Sequence, residues 1–117
     1  MDNAVYIKKL PHAEVIKLDE IIAVAPNQVS SMTLVQRPDL GMTLFSLDQG
    51  EGIKLHTTKG DALVQILSGA AEITIGDQQY TVSQGEAIVM PSDIPHALHA
   101  RETSFQMLLT VVKPEKE

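Results

Sequence analysis

The chain has 117 residues, of which 44% are hydrophobic and 3% aromatic, with a formal net charge of -6 and no cysteine. This length predicts a single domain over residues 1–117. Without cysteine, disulfides, thiolate metal sites and cysteine nucleophiles are excluded, and the acidic balance argues against a nucleic-acid partner. Since no apolar run reaches the ~18 residues that span a bilayer and the N-terminus lacks the form of a signal peptide, we expect a cytoplasmic protein with no membrane partner.

The N-terminal segment allows two interpretations. Val15, Leu18, Ile21 and Ile22 fit a short helix within residues 17–24 as well as they fit strands. From residue 29 onward, β-branched runs are interrupted by turn residues every eight to twelve positions or so, which is typical of an all-β sandwich or barrel. Strands are predicted at 29–36, 42–47, 53–56, 62–67, 71–75, 79–82, 87–90, 96–100 and 105–112. Ser68 and Gly69 are predicted to form a turn between two of these strands.

The last predicted strand is apolar on both faces. Phe105, Met107 and Leu109 alternate with Leu108 and Val112 along it. A strand of this kind is either buried on both sides or contacts a second subunit.

The four histidines are the first candidates for chemistry, because imidazole is the commonest metal ligand and the usual acid–base group at neutral pH. His56 ends a predicted strand and His96 begins one, and strand ends are where a β-barrel opens its ligand pocket. His99 lies three positions after His96, an odd offset that points to the opposite face of a strand. His12 follows a proline in the N-terminal segment, where we expect it to be solvated. His56 and His96 are therefore the candidate site residues.

Two stretches resemble the conserved motifs of the cupin family. The segment GEGIKLHTTKGDALVQILSG, residues 50–69, is similar to the first motif, G-x5-H-x-H-x3/4-E-x6-G. The segment GEAIVMPSDIPHALHA, residues 85–100, is similar to the second, G-x5-P-x-G-x2-H-x3-N, with Asp93 in place of its glycine. The short spacing between them is typical of small bacterial single-domain cupins. The resemblance implies an antiparallel β-barrel of the double-stranded β-helix or jelly-roll type, with the N-terminal strands packed outside it.

The resemblance also implies a metal site, and this chain departs from it. The family's usual ligands are two histidines and a glutamate from the first motif and one histidine from the second. Carried over by position, these fall on His56, Thr58, Ala62 and His96, so two of the four ligands are replaced. By strand parity Ala62 faces inward and Asp61 outward. We therefore expect at most weak binding of a divalent transition metal such as Zn, Fe, Ni or Mn by His56 and His96, in a ligand pocket that includes Thr58 and Ala62.

Two functions are consistent with these residues. The first is a non-catalytic barrel that binds a small organic ligand and holds any metal weakly. The second is a metal-dependent cupin enzyme, dioxygenase-like or isomerase-like, acting on a small molecule. The resemblance further implies a homodimer, for which the doubly apolar last strand gives a local physical reason.

Overall fold

The structure, a computed structural model, describes residues 5–114, which form an almost entirely β domain. Its strands are β1 Val29–Gln36, β2 Leu40–Leu47, β3 Gly52–His56, β4 Asp61–Ile75, β5 Gln78–Ser83, β6 Ala87–Met90, β7 His96–His99 and β8 Phe105–Val112. In the N-terminal segment a 3₁₀ turn, Leu18–Glu20, forms in place of the longer helix or strands considered above. Within the described range, no helix is long and apolar enough to cross a membrane. The all-β class expected from the sequence is confirmed.

The strands pair antiparallel in the order β1-β2-β8-β4-β7-β3, and β5 and β6 also pair with β4. The first half of β4 pairs with β6 and β8, and its second half with β5 and β7. Strand β4 thus passes from one side of the barrel to the other and curls the sheet around a single interior. Its inward side chains Ala62, Val64 and Ile66 are at most 2% exposed.

The predicted turn at Ser68 and Gly69 is wrong, because β4 runs through these residues without ending. Ser68 and Gly69 stay paired with Gln106 and Phe105 of β8, after a register shift that follows Ile66. Gly69 has a φ of 73°, a left-handed conformation that glycine adopts without steric cost. The chain therefore bends sharply at this point while its hydrogen-bonded ladder continues.

Strand β8 is covered by its own chain on its inward face and along part of its outward face. Its inward side chains Phe105 and Met107 are fully buried in the barrel core. Its outward Leu108 lies in a second apolar cluster, formed with β1, β2 and the N-terminal segment, which contributes Leu10, Leu18, Ile21 and Ile22. Burial by the chain itself therefore explains Leu108, whereas Val112 at the end of the strand is 58% exposed, and contact with a second subunit stays a prediction.

A buried glutamine fastens the N-terminal segment to this outer face. The side-chain nitrogen of Gln106 donates hydrogen bonds to the carbonyl oxygens of Asp19, at 2.8 Å, and Ile22, at 2.7 Å. The hydroxyl of Ser46 donates to the same Ile22 carbonyl at 2.7 Å. These bonds satisfy two backbone carbonyl groups of the N-terminal segment and hold the segment in one position against β8.

Candidate functional site

A cavity of about 110 Å³ lies at one end of the barrel, and we call it the inner compartment. Its polar lining side chains are His56, Thr58 and His96. The rest of the lining is apolar and comes from β2, β3, β4, β6, β7 and β8, with Ala62 among it. All four site residues predicted from the sequence therefore line one cavity.

The two histidines face each other because β3 carries a bulge. Ile53 pairs with Leu98, whereas the next registered pair is His56 with His96, so one extra residue is inserted in β3 between them. Without the bulge, strand alternation would put Leu55 beside Ile53 on the inward face. Instead Leu55 is 62% exposed and His56 lines the interior.

The imidazole rings of His56 and His96 are in direct contact. Their Nε2 atoms are 3.2 Å apart, and the ring centroids are 4.4 Å apart with the planes at 70°. Nδ1 of His56 lies 2.7 Å from the carbonyl oxygen of Lys54, and Nδ1 of His96 lies 3.2 Å from that of Ile94. A carbonyl only accepts hydrogen bonds, so both Nδ1 atoms carry the proton and both Nε2 atoms present a lone pair. A proton or a cation between the two Nε2 atoms relieves the repulsion of these lone pairs.

His96 is the buried member of the pair. It is 2% exposed, and this burial lowers its pKa below the ordinary value of 6.5. The hydrogen bond to the Ile94 carbonyl acts in the opposite direction, and the charge of His56 lowers the pKa further. Burial therefore favours the neutral form of His96.

The donor set does not fit the four-residue metal centre that the motifs imply. Two nitrogens at 3.2 Å have the spacing of neighbouring ligands, since a tetrahedral ion with bonds of ~2.0–2.1 Å holds them ~3.3 Å apart. However, among residues 5–114 no third His, Asp or Glu joins them in a group that could hold a metal. Ala62 offers no ligand atom, and Thr58 offers a neutral hydroxyl.

The remaining candidates lie away from the inner compartment. Asp61 is exposed, as predicted, and its carboxylate accepts a hydrogen bond from the backbone N–H of Ser92 at 3.0 Å. His99 is half-buried on the opposite face of β7 from His96 and Leu98, also as predicted. His12 is exposed, and its Nε2 lies 2.8 Å from the carbonyl oxygen of Ile7.

Sequence reasoning identified Ala62 but no other apolar residue of the lining. Ile53, Met90 and Leu98 line the inner compartment together with the histidines. Alternation along β7 gives Leu98 from His96, two positions earlier. Ile53 is three positions from His56, so its place in the compartment depends on the bulge and carries no periodic signal.

The fold agrees with the comparison to known proteins. A family model for the cupin domain matches residues 43–113. This match covers more than half of the chain, so the protein belongs to the cupin family, of the small type with a degenerate first motif.

Three solved structures resemble it closely. A conserved protein of unknown function from Streptococcus pyogenes is 53% identical, with a TM-score of 0.94 over 97% of this chain and 99% of that one. A cupin superfamily protein from Desulfitobacterium hafniense is 32% identical, with a TM-score of 0.88 over 94% of this chain and 100% of that one. A cupin 2 conserved barrel domain protein from Leptotrichia buccalis is 37% identical, with a TM-score of 0.82 over 84% of this chain and 47% of that longer one.

Proposed function

We propose that this cupin binds a small organic molecule in the inner compartment, with His56 and His96 as its polar contacts. The observation that carries the proposal is the 3.2 Å approach of two Nε2 atoms at a mainly apolar cavity. A site of this composition, apolar walls with a few convergent polar groups, is the usual form of a small-molecule pocket.

The histidine pair is suited to a ligand oxygen. Because both Nδ1 atoms are engaged with backbone carbonyls, both rings are fixed in orientation and direct Nε2 toward the same point. A ligand hydroxyl group at this point can donate a hydrogen bond to one Nε2 lone pair, and a ligand group with two N–H or O–H protons can donate to both. The ligand then replaces the unfavourable meeting of two lone pairs with at least one hydrogen bond.

The cavity limits the size of the group that enters. A volume of about 110 Å³ is somewhat less than the ~150 Å³ of an engineered apolar cavity that takes up benzene. The part of the ligand that reaches the histidines is therefore a fragment of a few heavy atoms. Larger ligands extend out of the barrel.

In this proposal any divalent metal binds weakly. His56 and His96 would supply two ligands, and water or the organic ligand would supply the others, with no carboxylate from the described residues to offset the charge. Such an ion would polarise a bound oxygen. We expect micromolar or weaker affinity. The metal-dependent enzyme remains the alternative: the Nε2 spacing suits two metal ligands, but the described residues supply no third His, Asp or Glu.

The first experiment is metal analysis by mass spectrometry on protein purified without chelators, together with the His56→Ala variant. We expect well below one equivalent of metal after dialysis, and weak zinc binding that His56→Ala removes. His99→Ala is the matched control, since His99 lies on the same strand as His96 but faces the other way. One tightly retained equivalent, lost in His56→Ala, would overturn the proposal and favour the enzyme.

The second experiment is a fragment screen by ¹H–¹⁵N NMR on the metal-free protein. We expect bound fragments to shift the resonances of His56, His96, Thr58 and Ala62. The His56→Ala variant should bind the same fragments more weakly. Hits that shift other regions and are insensitive to His56→Ala would contradict the assignment of the site.

A further inference from the structure

A second compartment adjoins the first, and we call it the outer compartment. It has a volume of about 250 Å³, and its lining includes Thr33, Gln36, Gly41, Thr43 and Lys113. Thr58, Leu109 and Val111 line both compartments, so the two meet at these side chains. A molecule anchored at the histidines therefore has a continuation along the ends of β1, β2 and β8.

The two compartments differ in chemistry. The inner one is mainly apolar apart from the histidines and one threonine, whereas the outer one presents three threonine hydroxyls, an amide and an ammonium group. Of the described residues that line either compartment, none is Asp or Glu, although the chain carries fifteen such residues and a net charge of -6. The site is thus locally positive in an acidic protein.

Lys113 is held in place at this site. Its backbone N–H donates to the carbonyl oxygen of Asp39 at 3.0 Å. A Cβ built on Gly60 would lie 2.9 Å from Cγ of Lys113, so the lysine stem packs against the Gly60 backbone. Lys113 is half-buried, and its ammonium group is the charge that an anion in the outer compartment would meet.

From this arrangement we infer that the ligand is a small hydroxylated carboxylate, with its carboxylate against Lys113 in the outer compartment and its other end at the histidines. The inference rests on the proposed function, since it names the ligand class of the same site. The threonine hydroxyls match ligand hydroxyls and carboxylate oxygens as donors and acceptors. One ammonium beside neutral hydroxyls suits the single charge of a carboxylate.

A substitution at Gly41 can fill part of the outer compartment without straining the fold. No heavy atom lies within 4 Å of a Cβ built on Gly41, and its φ is not in the left-handed region. Gly41 lies in β2 and pairs with Val111 of β8, and valine is favoured in strands. Gly41→Val is therefore expected to fold and to occupy space that the ligand needs.

The test compares 3-hydroxybutyrate with its amide, 3-hydroxybutyramide, which has the same shape and no charge. Binding is followed by ¹H–¹⁵N NMR titration of the metal-free protein. We expect the acid to bind about tenfold more tightly than the amide, as one partly buried charge pair provides. Lys113→Gln should abolish this preference, and Lys17→Gln, which removes an exposed lysine of the N-terminal segment, should keep it. Gly41→Val should weaken the binding of the acid and of the amide to the same extent.

The outcomes separate the inference from the proposed function. Equal binding of acid and amide, with shifts at His96 and Thr58, would overturn the carboxylate assignment and leave the proposed function standing. If the Lys113→Gln variant still binds the acid more tightly than the amide, the carboxylate assignment is also overturned. If neither probe shifts Thr43 or Lys113 the inference fails, while the wider fragment screen with His56→Ala decides the proposed function on its own.

Discussion

At the scale of single residues, the chemistry of the site follows from how two imidazoles are anchored. The Lys54 and Ile94 carbonyls fix the protonated nitrogen of each ring, and the unprotonated nitrogens then meet at 3.2 Å. The pair is therefore suited to a cation or to a ligand group that donates a hydrogen bond. A single histidine in the same cavity would be less suited to either, because it could turn its free nitrogen toward water.

The lowered pKa of His96 predicts how stability depends on pH. Because the pKa in the folded state lies below the unfolded value of 6.5, the unfolded chain binds more protons at mildly acidic pH. The contribution of His96 is complete above pH 6.5 and is lost as the pH falls through the lowered folded-state value. We expect the free energy of unfolding, measured with urea in the presence of a chelator, to decrease from neutral to mildly acidic pH. His96→Gln should reduce this slope.

His99→Gln is the control for that measurement, since it removes a histidine of the same strand that faces away from the cavity. It should leave the pH slope largely unchanged. An NMR titration that placed the pKa of His96 above 6.5 would show that burial is not the dominant influence on this ring.

The two replaced ligand positions predict that metal binding can be restored. Thr58 and Ala62 line the same cavity as the histidines, and Ala62 is 2% exposed. The double variant Thr58→His with Ala62→Glu should raise zinc affinity at least about 100-fold, or about 2.8 kcal/mol, because it completes a set of three nitrogens and a carboxylate. Isothermal titration calorimetry measures the change.

The matched control is Thr58→His with Ala62→Gln, which has nearly the same volume and no charge. It should gain much less affinity than the glutamate variant. If both double variants bind zinc as weakly as the wild type, the correspondence of Thr58 and Ala62 with the family's ligand positions is wrong.

The positions of these residues could be predicted from the sequence to different extents. His96 and Ala62 follow from motif spacing and strand alternation, both of which are local properties of the chain. The inward position of His56 depends on a bulge whose register is set by pairing with β7, a strand forty residues away in the case of the His56–His96 pair. Long-range pairing of this kind has no signature in a local pattern, and the outer compartment, formed by ends of β1, β2 and β8, was missed for the same reason.

At the scale of elements, the bend in β4 places the site. The first half of the strand carries Ala62 into the cavity, and the second half pairs with β7, which carries His96. Gly69, with a φ of 73°, is the bend, and a Cβ at this position would overlap the Ser104 carbonyl oxygen. The alignment of the two halves, and therefore the position of the cavity wall relative to the histidines, depends on a residue without a side chain.

Gly69→Ala is accordingly expected to lower the free energy of unfolding by about 2 kcal/mol or more, from backbone strain and the clash together. Gly41→Ala is the matched control, because Gly41 lies in ordinary backbone with open space around it, and it should be neutral or slightly stabilising. Urea unfolding compares the two. Equal effects of the two substitutions would mean that the bend relaxes at no cost.

The strand pattern was largely predictable, and the departures have physical reasons. Turn residues marked most strand ends correctly, because a glycine at positive φ usually ends a strand. At Gly69 the same signal marks a bend, since the ladder with β8 continues across it. Asp93 shows the converse: it has a φ of 64° at the position of a motif glycine, so a residue other than glycine holds the left-handed turn.

At the scale of the whole molecule, a homodimer remains a prediction. The apolar side chains that we expect at its interface lie in the N-terminal segment and not on β8. On the outer face of β8, Leu108 packs in a cluster with the chain's own N-terminal segment. Within residues 5–114, large exposed apolar side chains instead include four in that segment, namely Val5, Tyr6, Ile7 and Val15. Val5, Tyr6 and Ile7 are consecutive and Tyr6 is 74% exposed, so we expect this stretch to form the association surface of a dimer.

We therefore expect Tyr6→Asp to shift the protein from dimer to monomer in sedimentation velocity runs over a range of concentrations. The physical reason is that a buried unpaired carboxylate is costly at an interface of apolar contacts. Tyr80→Asp is the matched control, because Tyr80 is 43% exposed on β5, away from the N-terminal segment. A wild-type protein that sediments as a monomer throughout the concentration range would contradict the dimer itself. A dimer disrupted by Tyr80→Asp and unaffected by Tyr6→Asp would place the interface on the β5 side of the barrel.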